Sequence, residues 1–367
     1  MQTGKRLESL DALRGFDMFF IMGFAALVAA ICEQFPGSGF AAWLGSQMDH
    51  VPWDGFHHHD SIFPLFLFIA GCSFPFSYAS QVSRGSTRRQ IFLRALKRCL
   101  ILVFFGLAVN GFFRLDFANL RWFSVLGRIG LAWFGAAVMY IYLSRGWRIG
   151  ICAAILIGYT LLCCLVGAPD FPGAGLTTQE GSIVCWIDRT LFPHHIYQPL
   201  YDPEGLLSTL PAVVTACLGM FTGELLRSTE VSDKKKCLYM LAGGAAFVVL
   251  GLLWNKVQPI NKALWSSSFV CLLAGYSLLN LVLFYWLIDV KGHRKWAFFF
   301  KVIGMNSITI YMINHMVHLY EVSDFFLKGA AGLIPEAWSW PFLQAGYLAV
   351  QWLFLYFLYK KKVFLKV

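Results

Sequence analysis

The feature that most constrains this 367-residue chain is a succession of apolar runs separated by short gaps that hold most of its Lys and Arg. A run of about 20 apolar residues crosses the roughly 30 Å hydrocarbon core of a bilayer, where only helices or closed barrels satisfy their own backbone. A barrel would show short segments of alternating polarity, whereas these runs are long and continuous. With 58% hydrophobic and only 14% charged residues, the chain cannot clothe a soluble globule in charge. A soluble enzyme, a disordered chain and a secreted disulfide scaffold are therefore excluded.

The runs predict an all-α polytopic membrane protein of about ten transmembrane helices. They lie at 13–32, 61–82, 99–113, 123–143, 150–167, 206–226, 237–254, 265–289, 298–320 and 342–359. One alternating set of gaps holds 22 of the Lys and Arg residues, including Arg14, Arg84, Arg88, Arg89, Arg145 and Arg294, against 6 in the other set. This bias predicts that both termini are cytoplasmic. The chain then reads as a single transmembrane domain, 1–367, with outer loops at 33–60, 168–205 and 321–341. No cleavable signal peptide is expected, because the first apolar run leads straight into the fold.

The formal charge of +10 is spread through these gaps, so no nucleic-acid partner is expected. The ten cysteines lack C-x-x-C spacing and read as small buried hydrophobes.

Ionisable groups inside a membrane are costly and mark functional sites. Asp11, Arg14 and Asp17 share a helical face near the first span's inner end, where Arg14 suits either an ion pair or a phosphate. The densest polar segment runs from Asp49 to Asp60 and holds His50, Trp53, Asp54 and three consecutive histidines, His57–His59. Adjacent histidines do not converge on a helix, so no metal is expected, whereas one histidine such as His50 suits proton transfer. Asp202 and Glu204, before the sixth span, read either as helix-start acids or as ligands of a cationic or sugar group. Asn306, Ser307, Asn314 and His315 form a polar stripe on the ninth span, and Arg128 is an intramembrane cation needing an anionic partner.

Five segments in order carry a resemblance: SLDALRG (9–15), HVPWDGFHHHDSIFPLFLFIAGCS (50–73), SVLGRIGLAW (124–133), YDPEGLLSTLPAVV (201–214), and PINKALWSSSFV through GMNSITIYM (259–312). Together they resemble the heparan-α-glucosaminide N-acetyltransferase family of transmembrane acyltransferases. The resemblance implies that acetyl-CoA enters from the cytosol and that its acetyl group passes to a glucosamine amine on the far side. His50 matches the family's catalytic histidine. Trp53, Asp54, Asp60, Asp202 and Glu204 are expected to meet the acceptor; Arg14, Arg128, Asn306, Ser307, Asn314 and His315 are expected to serve acetyl-CoA. The chain departs from the family at Ala25, near the position of an assisting Asn, at Gly127, at Asp54 and at His315. The long luminal N-terminal domain of the animal members has no counterpart, so a minimal bacterial-type protein of the inner membrane is expected, with a homodimer as a family-based expectation. Two other classes stay open: an O-acyltransferase of a polysaccharide or lipid-linked sugar, and a sugar or anion transporter with paired broken helices.

Overall fold

Long apolar runs with few interior breakers fold as helices, because hydrocarbon leaves the backbone no other partner. The computed structural model describes residues 7–317 and 319–365, which contain helices and, among the described residues, no β-strand beyond two isolated bridges. Eight helices are long and apolar enough to cross a membrane: α1 (Glu8–Cys32), α3 (His58–Ser83), α5 (Val125–Tyr142), α6 (Arg145–Leu165), α8 (Thr209–Arg227), α9 (Asp233–Trp254), α10 (Ser267–Val290) and α14 (Glu336–Lys360). The shorter elements are α2 (Gly39–Ser46), α7 (Ile183–Leu191), α11 (Ala297–Gly304), α12 (Ser307–Met316) and α13 (Leu319–Ala331), while α4 runs from Arg88 to Val109.

Two expected spans differ in form. The ninth, 298–320, is not one helix: α11 and α12 meet at an angle of 65° around Met305–Asn306, and together they make a broken span. The third, 99–113, lies in the C-terminal half of α4, whose first half carries Arg88, Arg89, Arg94, Lys97 and Arg98 and so lacks a clean apolar window. The helix still runs the full depth of the bundle. Arg94 donates to Gln81 (2.8 Å) and Ser86 (2.9 Å) at one end, and Asn110 donates to the carbonyls of Arg121 (2.9 Å) and Phe123 (2.7 Å) at the other. Eight helices therefore qualify as spans, or nine with the broken pair, and α4 does not. Both described ends of the chain pack near α11, where Glu8 bonds Lys301 (3.0 Å) and Tyr359 meets Phe298 edge-on.

Small residues bring the helices close, as expected where lipid offers no hydrophobic drive for association. A Cβ on Gly71 of α3 would lie 2.2 Å from the Ala216 carbonyl, and one on Gly219 of α8 would lie 2.1 Å from the Phe68 carbonyl. Within α1 a π-helical turn at Phe20–Phe24 disturbs the ladder, and Gly23 takes φ 126°. The Gln351 side chain of α14 donates to the Met22 carbonyl at 2.6 Å, supplying that exposed acceptor with a partner.

The expected outer stretch 321–341 contains most of α13 and the start of α14 rather than an irregular loop. The stretches before α3 and before α8 lie at one end of the bundle, where they meet the loop 255–266.

Candidate active site

Asp60 is the third residue of α3, and one carboxylate oxygen caps that helix by accepting the His57 N–H at 3.0 Å. Its other oxygen, Oδ1, lies 2.7 Å from His50 Nδ1. A carboxylate only accepts, so Nδ1 carries the proton and Nε2 presents its lone pair. The Asp60 side chain is 1% exposed and the His50 side chain 49%, so the carboxylate sits behind a reachable imidazole. Asp60 is expected from sequence to meet a substrate; the structure instead places it as the group that orients His50.

The third member arrives from the loop between α9 and α10. Asn255 and Ser266 fold this loop by accepting the N–H groups of Ile260 (2.7 Å) and Asn261 (3.0 Å). Asn261 ties it to the histidine segment by donating to Asp54 at 3.0 Å, and Gly55 N–H donates to the Ile260 carbonyl at 2.8 Å. Lys262 thereby reaches His50, with Nζ 3.1 Å from Nδ1 and 3.2 Å from Nε2, and 3.6 Å from Asp60 Oδ1. Burial pushes its ammonium below the usual lysine range, while Asp60 and Glu204 act in the opposite direction. The His59 ring packs on that of His50 with centroids 4.6 Å apart.

Around this core, Trp53 Nε1 donates to the Thr177 carbonyl at 2.8 Å and its ring meets Tyr201 edge-on at 4.9 Å. Asp54 braces the lysine loop rather than standing free for a ligand. Asp202 is also diverted from ligand contact. It is buried, accepts two Arg121 hydrogen bonds at 2.7 and 2.6 Å, and accepts the N–H groups of Tyr197 and Glu204. Glu204 bonds Arg121 as well. Burial works against the Arg121 charge, but the two acids outweigh it and raise the guanidinium above its ordinary value.

Arg128 is buried at the start of α5, donates to the Gly205 carbonyl (3.1 Å) and to Ser208, and lies 5.0 Å over the Trp265 ring. Its Nε and Nη1, and Oδ2 of nearby Asp188, are buried without partners. Burial pushes the Asp188 carboxyl up to about 7, against the Leu206 N–H and the Arg128 charge.

The residues expected to serve acetyl-CoA do not gather in one place. Arg14 lies near the opposite end, where it bonds Ser73 (3.3 Å) and Asp11 (3.5 Å). Asn306 stands at the bend between α11 and α12 and holds the C-terminal segment through the Val363 carbonyl (3.0 Å). Ser307, beside it, is buried. Asn314 accepts from Tyr347 at 3.5 Å, and His315 turns back to the Tyr311 carbonyl at 2.8 Å. All four lie on the α12 side of the bend, Asn306 immediately before the helix and Ser307, Asn314 and His315 within it. Ala25 is buried just beyond the π-helical turn. Between the two ends lies a small apolar cavity of about 30 Å³, lined by Met18 and Ile21 of α1, Phe63 and Phe66 of α3, Val125, Leu126 and Ile129 of α5, and Ile308 and Tyr311 of α12.

Sequence reasoning did not nominate Lys262, His59, Arg121 or Asp188. Lys262 lies inside PINKALWSSS, but nothing in that string shows that its loop folds onto residue 50. Among the described residues, no three His, Cys, Asp or Glu side chains form a group that holds a metal ion.

Eight to nine candidate spans define a multi-pass integral membrane protein, with a Lys262–His50–Asp60 cluster at one end of its helix bundle. The chain is 26% identical over 417 residues to the human (Homo sapiens) heparan-alpha-glucosaminide N-acetyltransferase, and 26% identical over 420 residues to the mouse (Mus musculus) protein of that name. These alignments cover 99% and 100% of the chain but 60% and 61% of the relatives, so the chain spans about three fifths of their length. No family model matches. The chain is thus distantly similar, along its whole length, to these two N-acetyltransferases.

Proposed function

We propose that this protein is a membrane acetyltransferase that moves an acetyl group from cytosolic acetyl-CoA to the amine of a glucosamine or glucosaminide on the outer side. The observation that carries this reading is the His50–Asp60 pair at 2.7 Å, with Lys262 beside both ring nitrogens. A protonated amine is no nucleophile, so acyl transfer needs a base at the acceptor and a donor for the developing oxyanion. Nε2 of His50 takes a proton as the amine nitrogen bonds the thioester carbonyl carbon. Lys262 donates to the carbonyl oxygen as it becomes negative. Collapse breaks the carbon–sulfur bond, and the imidazolium returns the proton to the leaving thiolate. Asp60, unable to reach substrate, fixes the ring's tautomer and steadies its positive state. Trp53 and Tyr201 offer aromatic walls for the sugar at the same mouth.

The cation bias supports an outer position for His50, and the apolar lining between the two ends suits an acyl-pantetheine arm better than a charged nucleotide. A transporter would call for breaks in corresponding positions of two halves, whereas α11–α12 is the one sharply bent pair among the described residues.

The test is transfer from radiolabelled acetyl-CoA to glucosamine, with N-acetylglucosamine as control. Label on glucosamine that vanishes in His50→Ala is the expected result. Transfer to hydroxyls of the N-acetylated sugar points to the O-acyltransferase, and no transfer to either sugar overturns the reading.

A further inference from the structure

The cysteines read from the sequence as small buried hydrophobes, and the cluster around His50 uses none of them. Two of them meet. Cys152 of α6 and Cys217 of α8 are both buried, and their thiols bond each other between the helices. A third sulfur reaches the pair from α5, where Met139 Sδ lies 3.9 Å from Cys217 Sγ. Met139 stands one turn before the end of α5, and Cys152 stands about 10 Å into α6 from Arg145. Only Leu143 and Ser144 separate the two helices, so both sulfurs fall in the same half of the bundle. Three helices thus bring three sulfurs to one point of the core.

A buried cation stands beside them. Arg148, one turn before Cys152, is 6% exposed, and its guanidinium lies 4.6 Å from the Tyr140 ring and 5.2 Å from the Phe221 ring. Tyr140 follows Met139 in sequence and Phe221 lies one turn after Cys217, so the same elements hold the arginine and the sulfurs. Arg148 bonds Glu224 at 2.7 Å, yet its Nε and Nη1 are buried without partners. Arg145 brings a second guanidinium within 4.0 Å of that carboxylate. Two guanidiniums against one carboxylate leave positive charge over, which is costly where water is excluded unless an anion compensates it.

Thiolate and thioether sulfurs are soft ligands that select Cu(I) over oxygen-seeking cations. An equilateral triangle built on the 3.9 Å Met139–Cys217 edge has its centre about 2.3 Å from each corner, the length of a metal–thiolate bond. We propose that Met139, Cys152 and Cys217 form a trigonal Cu(I) site that ties α5, α6 and α8 together. Binding of one Cu(I) displaces both thiol protons to the solvent, and no electron is transferred. The site becomes more negative by one charge, which the surplus guanidinium balances. Met139 is only partly buried, so the ion enters from the thioether side. The site is independent of the acetyltransferase reading.

The full chain in nanodiscs, reduced and stripped of metal by a chelator, is titrated anaerobically with Cu(I) against bicinchoninate. Wild type is compared with Cys152→Ser, Cys217→Ser, Met139→Leu and, as a control for the remaining thiols, Cys237→Ser. A single copper ion held by wild type and by Cys237→Ser, and lost from both other cysteine variants, is the expected result. Met139→Leu should bind roughly tenfold or more weakly. X-ray absorption at the copper edge should show three sulfurs at about 2.3 Å. Copper held equally by folded Cys217→Ser, or not held by wild type, overturns the site. If the cysteine variants do not fold, Met139→Leu decides, since it keeps the volume and loses the sulfur, and wild-type affinity there overturns the site. A Cys152–Cys217 disulfide that persists in the reduced preparation also overturns it.

Discussion

At His50 each neighbour has a task that its chemistry suits. Under the proposed reading, the buried Asp60 orients, the largely buried Lys262 stabilises developing negative charge, and the half-exposed His50 meets the acceptor. Asp60→Asn and Lys262→Met are each expected to lower kcat by about 10²-fold or more, with the larger change in kcat than in KM for the amine. Steady-state kinetics on both variants check this. Asp188 carries a pH dependence with a definite sign. Its carboxyl is raised by burial to about 7, from an ordinary value near 3.8. Its contribution to stability is therefore fully present below about pH 4 and lost as pH rises through about 7. Asp188→Asn keeps the neutral shape and removes the titration, so the variant's thermal midpoint should exceed wild type at pH 8 and approach it at pH 4. Parallel pH curves for the two proteins contradict this assignment.

At the scale of elements, the crossing of α3 and α8 fixes where the active-site mouth stands, because α3 carries Asp60 at its first turn and α8 follows the Asp202–Glu204 segment. Gly71 faces backbone with no room for a Cβ, so Gly71→Leu should lower the thermal midpoint and shift the two mouths' separation. Thermal denaturation in detergent, with Gly158→Leu in open surroundings as control, measures it. The spans were legible in the sequence because hydrocarbon demands long apolar runs, and the segment around His50 was legible because polar residues beside a span stand out, although the choice of His50 among its histidines came from the resemblance. The bend at Asn306 was not, since Gly304 and Met305 occur freely in straight helices. Lys262 was hidden for another reason: its partners lie more than 200 residues away in sequence, and the Asn261–Asp54 and Gly55–Ile260 bonds bring the loops together.

For the whole molecule, the fold sets two polar ends apart across an apolar interior. Arg14 reaches Ser73 of α3 at one end, His50 and Lys262 stand at the other, and the small apolar cavity lies between. That arrangement suits a donor and an acceptor that stay in separate compartments, joined by an arm long enough to carry a two-carbon unit through the bundle. The measurement that tests this most directly uses sealed proteoliposomes of uniform orientation, with labelled acetyl-CoA on the Arg14 side and glucosamine on the His50 side. The account predicts N-acetylglucosamine accumulating on the His50 side while CoA stays on the other. Product formed only when both substrates share one compartment would contradict it.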